Sequence, residues 1–327
     1  MKPPRVCTFE EVEAACPHVY RYLNKTPLHE YAGLSELIGA QVFVKHENHH
    51  AVRVFKVRGG VNLAASLGES SRKKGICTAS TGNHGQSIAF AGQVTGVPVR
   101  VALPEDANPS KAAAIRALGA EVAFHGRDFD EAREWIGKEA ARTGARFIGP
   151  TDAELIAGVG TYTLEIMEAQ PDIDVIIVPV GAGSGAASVS LVAKTINPKV
   201  QVIAVQAEKA PAIQRSWKAS RVESASMETS AEGLATRVPF ENTLTMMRHP
   251  ETGIDDFVLV SDEAMEDAVR LLVEHTRNIA ELGGAASLAA AIKMKDRLAG
   301  AKVAIILSGG NIAMEKFLRI VAQPTSQ

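Results

Sequence analysis

From Gly75 onward the chain repeats one alternation: a short β-rich run, then an alanine-rich stretch with apolar residues at helical spacing. Gly75–Ala79 precedes Asn83–Gln93, Val97–Ala102 precedes Pro109–Leu118, and Glu121–Phe124 precedes Phe129–Arg142. The rhythm resumes with Asp174–Val180 before Gly185–Thr195, then Val200–Val205, and finally Ala301–Leu307 before Ile312–Val321. Strands alternating with helices predict an α/β fold with parallel sheets covered on both faces. With 327 residues, 46% of them apolar and 22% charged, the chain has the material for about two such domains.

The remaining elements are fewer. Thr8-Phe9-Glu10-Glu11 reads as a capping box that opens a first helix, which Pro17 strains. Gln41–Glu47 half-alternates and reads as a strand. Residues Trp217–Pro250 are polar and aperiodic, and are expected to be an irregular connection near a site.

Several function classes are disfavoured. Thirty-five basic residues against 37 acidic ones leave a net charge of −2, so nothing global calls for a nucleic-acid partner. The longest apolar runs, such as Val175–Val180 and Val303–Leu307, are strand-sized, and the N-terminus has no apolar signal segment. Cys7, Cys16 and Cys77 fit neither a disulfide scaffold nor a zinc pattern. The expectation is a cytoplasmic protein with no membrane partner.

Four segments have chemical content. In Val54-Phe55-Lys56-Val57-Arg58, an amine beside an apolar ring is a candidate for Schiff-base chemistry, although most lysines are surface decoration. Ser80-Thr81-Gly82-Asn83-His84-Gly85-Gln86 joins a strand to a helix, where backbone N–H groups can receive a carboxylate or simply form a capped turn. Gly181-Ala182-Gly183-Ser184-Gly185-Ala186 follows the strand Val175–Val180 and fits a phosphate cradle, a loose dinucleotide fingerprint or a tight turn. Ser308-Gly309-Gly310-Asn311 lies where a strand ends, the usual place for ligands in open α/β sheets. Together they offer an amine, a carboxylate nest, a phosphate nest and a hydroxyl.

With these motifs in order, the chain resembles the fold-type II pyridoxal-phosphate enzymes, specifically the threonine/serine dehydratase and serine racemase group. The resemblance runs from about Thr26 to Asn311. It includes Thr26-Pro27-Leu28, Lys45–Arg58, Ser80–Gln86, Pro104 with Lys111 and Leu118-Gly119-Ala120, Gly158–Thr161, Pro179–Gly185, Glu232-Gly233-Leu234-Ala235 and Ser308–Asn311. It implies a two-domain fold like that of the tryptophan synthase β chain, with open, twisted, mainly parallel sheets covered by helices. Residues 1–49 plus 150–327 would form a large cofactor-binding domain, and 50–149 a small mobile one.

The resemblance implies pyridoxal 5'-phosphate as cofactor. Lys56 would hold it covalently and act as the base for the α-proton. Asn83 would bond its 3-oxygen, Phe55 would pack on its ring, Gly181, Ala182, Gly183, Ser184 and Gly185 would hold its phosphate, and Ser308 would face its pyridine nitrogen. Ser80, Thr81, Asn83 and His84 would surround the substrate carboxylate. The implied reaction is β-elimination of a β-hydroxy amino acid, L-threonine or L-serine by default, to a 2-oxo acid and ammonia. A homodimer follows by analogy only.

Some residues depart from the family pattern. Ala182 and Ser184 interrupt the usual glycine run, Val54 replaces a serine, and Val159 stands where glutamine is common. Thr81 stands where racemases of the group carry serine, which disfavours racemisation. Gln206, Ala210 and Ala212 occupy the racemase group's divalent-metal stretch, so no metal is expected. The chain stops soon after Asn311, and no C-terminal regulatory domain is expected. L-threo-3-hydroxyaspartate and 3-phenylserine remain alternative substrates, with Arg53 or Arg237 available to an acidic side chain. Racemisation, β-replacement, a silent ligand-binding role and a nicotinamide-dependent oxidoreductase built on Gly181–Ala186 are the competing readings; the last needs an acid where Gln206 stands, although Glu208 is close.

Overall fold

The computed structural model describes residues 4–324. Ten strands follow in chain order: β1 (Leu28–Glu30), β2 (Gln41–His46), β3 (Ile76–Ala79), β4 (Val99–Leu103), β5 (Glu121–Phe124), β6 (Arg146–Phe147), β7 (Val175–Pro179), β8 (Gln201–Ala207), β9 (Asp256–Val260) and β10 (Lys302–Leu307). They form two sheets, ordered β1-β2-β10-β7-β8-β9 and β5-β4-β3-β6. Every pairing is parallel except β1 with β2. The chain divides into two compact units, one of Met1–Phe9, Lys25–Phe55 and Tyr162–Gln327, the other of Glu10–Asn24 and Lys56–Thr161. Among the described residues no helix is long and apolar enough to cross a membrane.

In the first unit the central strands are buried along nearly their whole length, as a parallel sheet covered on both faces requires. Val42, Val44, Ile177, Ile203, Val205, Val303 and Ile305 belong to one core with Leu272, Ala285, Ala289 and Ala290. The last four lie on the helices Asp262–Thr276 and Leu282–Lys293. The second unit packs Cys77, Ala79 and Ala102 of its sheet against Ala132, Ile136 and Ala140 of the helix Phe129–Thr143. That helix starts at Asp128, whose side chain accepts from Glu131 N, and stops at Gly144 with φ 77°.

Pro17 sits inside the helix Phe9–Tyr20, its ring exposed while Val12, Ala15 and Val19 hold the buried face. One expectation needs adjustment. The stretch 217–250 is only partly irregular, because Glu241–Met247 is helical, with Thr243, Leu244, Met246 and Met247 buried. Seven residues make two turns, too few for a helical period to stand out.

Candidate active site

In the first unit, strand order decides which loops meet. β10 lies between β2 and β7 and runs parallel to both, with Leu307 opposite His46 and Ile305 opposite Ile177. The chain steps from β7 outward to β8 and β9, then returns across the sheet to β10, so a topological switch point lies between β7 and β10. The loops after β2, β10 and β7 therefore open on the same edge of the sheet. They contain 47–55, Ser308–Asn311 and Gly181–Gly185.

The glycine loop is shaped for an anion held by backbone. Gly183 caps the helix Ser184–Ile196 at φ 96°, a conformation that side chains disfavour. A Cβ on Gly181 would lie 2.0 Å from the Gly233 carbonyl oxygen, and one on Gly183 would lie 2.8 Å from Thr243 Oγ1. Thr243 Oγ1 donates to the Ala182 carbonyl at 2.8 Å and holds the turn. The first N–H groups of this 13-residue helix have no side-chain cap. A phosphate monoester fits such a cradle by charge and by the close approach that glycine permits. Ala182 is compatible because the contacts come from backbone, and Ser184 is buried at the helix start.

The turn before Lys56 is pinned to the β10 loop. Phe55 N–H donates to the Ser308 carbonyl at 3.0 Å, Gly310 N–H to the Arg53 carbonyl at 2.9 Å, and Asn311 Nδ2 to the Val52 carbonyl at 2.9 Å. Val54, fully buried, bridges Gly309. The Phe55 ring meets Tyr162 edge-on at 6.3 Å, and a Cβ on Gly185 would touch the Phe55 ring and the Tyr162 hydroxyl at ordinary distance. Ser308 is 7% exposed, and its Oγ donates to the Gly283 carbonyl at a long 3.4 Å. Arg53 has φ 54°. Ser220 and Arg277 share that region, but both end helices, where it is ordinary. At Arg53 no helix ends, and the conformation costs about 1 kcal/mol.

Behind this turn lies a buried polar network that the sequence reading did not single out beyond the motifs Thr26–Leu28 and Lys45–Arg58. Lys45 pairs with Glu165 and donates to the Thr26 carbonyl at 2.7 Å. Thr26 Oγ1 donates to Glu47 Oε1 at 2.6 Å, and His50 Nε2 lies 3.2 Å from Glu47 Oε2. The His50 carbonyl in turn receives the Arg53 N–H at 2.8 Å. The three strongest signals absent from the motif reading were Tyr162, Thr243 and Glu165, because each acts through a contact distant in sequence.

In the second unit, Lys56 is the first residue of the helix Lys56–Ala65 and is half-buried. Ser80 and Thr81 follow β3, and Asn83 and His84 open the helix Asn83–Thr95. Gly82 caps that helix without a side-chain bond. A Cβ on Gly85 would lie 2.6 Å from the Ser80 carbonyl, so the turn is tight. His84 Nε2 lies 3.0 Å from Thr78 Oγ1, which spends its own proton on the Ile148 carbonyl at 2.9 Å. That pattern assigns the proton of the neutral ring to Nε2. Burial, helped by the Lys56 ammonium, pushes the His84 imidazole down to about 4.

Gln206, at the end of β8, is buried and accepts the Gln214 N–H on Oε1 at 3.1 Å. Among the described residues no group of three His, Cys, Asp or Glu side chains could hold a metal ion.

A family model described as pyridoxal-phosphate dependent enzyme matches residues 19–309. The chain is 38% identical over 316 residues to an L-threonine ammonia-lyase of Thermotoga maritima, covering 96% of this chain and 78% of that one. It is 33% identical over 320 residues to an L-threo-3-hydroxyaspartate ammonia-lyase of Saccharomyces cerevisiae, covering 97% of each. Its fold superposes on the processed form of threonine deaminase isoform 2 from Solanum lycopersicum with a TM-score of 0.90 and 30% identity, covering 98% of this chain and 95% of that structure.

Proposed function

The chain belongs to the pyridoxal-phosphate dependent enzymes, and from that premise we propose that it eliminates water from a β-hydroxy amino acid, yielding a 2-oxo acid and ammonia. L-threonine and L-serine are the default substrates, by likeness to the Thermotoga maritima relative, and L-threo-3-hydroxyaspartate enters by likeness to the yeast one. The observation that carries the reading is a chain neighbour: Phe55, hydrogen-bonded to Ser308 and beside Gly185, is followed directly by Lys56.

When bound, pyridoxal 5'-phosphate supplies an electron-withdrawing ring that stabilises negative charge at the substrate α-carbon. The residues of the chain divide the remaining work. Lys56 would hold the cofactor through Nζ, and its freed amine would take the substrate α-proton on that atom. The N–H groups of Gly181–Gly185, with Ser184, bind the phosphate. Ser308 Oγ would serve the ring nitrogen, Asn83 the ring oxygen, and Phe55 would pack on the ring. The N–H groups of Ser80, Thr81, Asn83 and His84 receive the substrate carboxylate; the His84 ring is neutral and tied to Thr78, so its part is positional. Loss of the α-proton and the β-hydroxyl as water leaves an enamine, and its hydrolysis gives the oxo acid and ammonia.

The test is 2-oxo acid release by the holoenzyme from both enantiomers of serine and threonine, from 3-hydroxyaspartate and from 3-phenylserine. Release from one member, abolished in Lys56→Ala, is the expected result. No release from any member, with the cofactor demonstrably bound, overturns the elimination reading.

A further inference from the structure

We propose that the second unit has an anion site of its own, apart from the residues assigned to the cofactor and the substrate, and that its ligand is an organic phosphate. The inference is independent of which reaction the enzyme performs.

A cavity of about 410 Å³ is lined by His18, Arg21, Tyr22, Ala65, Arg72 and Thr95. All of them belong to the second unit. Three are basic and none is acidic. Three helices end at this cavity. Phe9–Tyr20 supplies His18 and, just past its last residue, Arg21 and Tyr22; Lys56–Ala65 ends on Ala65, and Asn83–Thr95 ends on Thr95. Helix C-termini draw cations to their orphan carbonyls, which is one reason for basic residues to gather here. Arg72 meets that demand at two of the helices. Its Nη1 donates to the Ala64 carbonyl at 3.1 Å and its Nη2 to the Thr95 carbonyl. At the end of Phe9–Tyr20 the Val19 carbonyl already receives the N–H groups of Tyr22 and Leu23, at 3.1 and 2.9 Å.

Arg21 is therefore surplus charge. Its guanidinium lies over the Tyr22 ring, 5.5 Å from the centroid, and among the described residues no carboxylate pairs with it or with Arg72. Stacking orients the guanidinium plane and leaves its N–H edge open. His18 is held as well. Asn62 Nδ2 donates to the Glu154 carbonyl at 2.8 Å, so Asn62 Oδ1 is the atom that receives the His18 Nδ1–H at 3.0 Å. Two guanidiniums and an imidazole, each fixed by a separate contact, form a preorganised set for an oxyanion.

Charge and size name the ligand. A phosphate monoester is nearly doubly charged at pH 7 and matches the two guanidiniums, which a single carboxylate does not. The volume is that of a small-molecule site and exceeds one bare ion, so the phosphate is joined to an organic group. The cavity is also remote from the assigned site residues of its unit. Lys56 and Asn83 open the two helices that Arg72 clamps at their other ends, about 14 and 18 Å along the helix axes.

Calorimetric titration of the holoenzyme tests the site, with phenyl phosphate, inorganic phosphate and acetate at one ionic strength and the visible cofactor band followed throughout. Phenyl phosphate should bind saturably, inorganic phosphate more weakly and acetate not at all, with the band intact. Arg21→Ala should weaken phenyl phosphate at least about tenfold, and Arg21→Lys less. Arg133→Ala removes an exposed arginine of the helix Phe129–Thr143 outside the cavity and should bind as the native chain does. Absence of binding by the native chain, binding that survives Arg21→Ala, or an equal loss in Arg133→Ala would overturn the site. Loss of the cofactor band on titration would overturn it too, because the probe would then be entering the cofactor's phosphate cradle. Acetate binding as tightly as inorganic phosphate would overturn the choice of phosphate.

Discussion

A lysine and a glutamate buried together need each other more than the fold needs the pair. Lys45 and Glu165 are both within 5% of full burial, and each also bonds the Thr26 backbone. Removing one leaves an uncompensated charge in the core. Glu165→Ala should lower unfolding stability by about 3–5 kcal/mol, and replacing both residues by methionine should recover most of it, as urea midpoints would show. Arg53 presents the opposite case, a residue that strains its own backbone. Arg53→Gly should raise stability by about 0.5–1 kcal/mol, because glycine occupies φ 54° without cost. A lower melting temperature for that variant would mean that the turn gains from its side chain. At this scale the candidate residues were legible as types: an amine, hydroxyls and glycines between strands and helices. Their partners were not. Nothing local marks Tyr162 as the neighbour of Phe55, or Thr243 as the residue that bonds Ala182.

Among the elements, some helices could be read from their period and others could not. Glu121–Phe124 is β5 to the residue, and Phe129–Arg142 is one residue short of its helix, which buries Ala132, Ile136 and Ala140 on one face. Helix Ala153–Ala169 and helix Leu282–Lys293 escaped notice, because a helix buried on most sides lacks the polar stripe that betrays its period. The glycine loop shows what one element can demand of its sequence. Gly181→Ala would drive a methyl to 2.0 Å from a backbone oxygen that belongs to Gly233. The expected outcome is a fold that survives and a cofactor bound at least about tenfold more weakly, read as loss of the visible band on dilution. Unchanged cofactor affinity would place the phosphate elsewhere.

Over the whole molecule, acid should act through histidines kept neutral. His46 is buried within hydrogen-bond distance of Tyr31 Oη, 2.9 Å from Nε2. Burial, together with the charges of His49 and His29, lowers it to about 3, and His84 is lowered to about 4. Both folded values lie below the ordinary 6.5, so the unfolded chain binds these protons first. Stability is therefore full above about pH 7 and falls as pH drops through 6.5 toward 4. Each imidazole should take away about 2 kcal/mol between pH 7 and pH 5. Urea midpoints against pH should show this, and His46→Gln should flatten the slope by about one proton. A stability that stays level to pH 5 would contradict the burial of both rings.

What the sequence determined by itself was the alternation of strand and helix, the parallel sheets that alternation requires, and the placing of glycines and hydroxyls at strand ends. These follow from periodicity and backbone conformation, which act over a few residues. Only the tertiary structure decided which strand ends meet. β10 pairs between β2 and β7 although β7 is followed in the chain by β8, and that strand order brings the loops 47–55, 181–185 and 308–311 to one edge of one sheet. Neighbours chosen by packing across hundreds of residues leave no periodic trace in the chain. For the same reason the left-handed turn at Arg53 is invisible in the residues beside it and is held by hydrogen bonds from Gly310 and Asn311, far along the sequence.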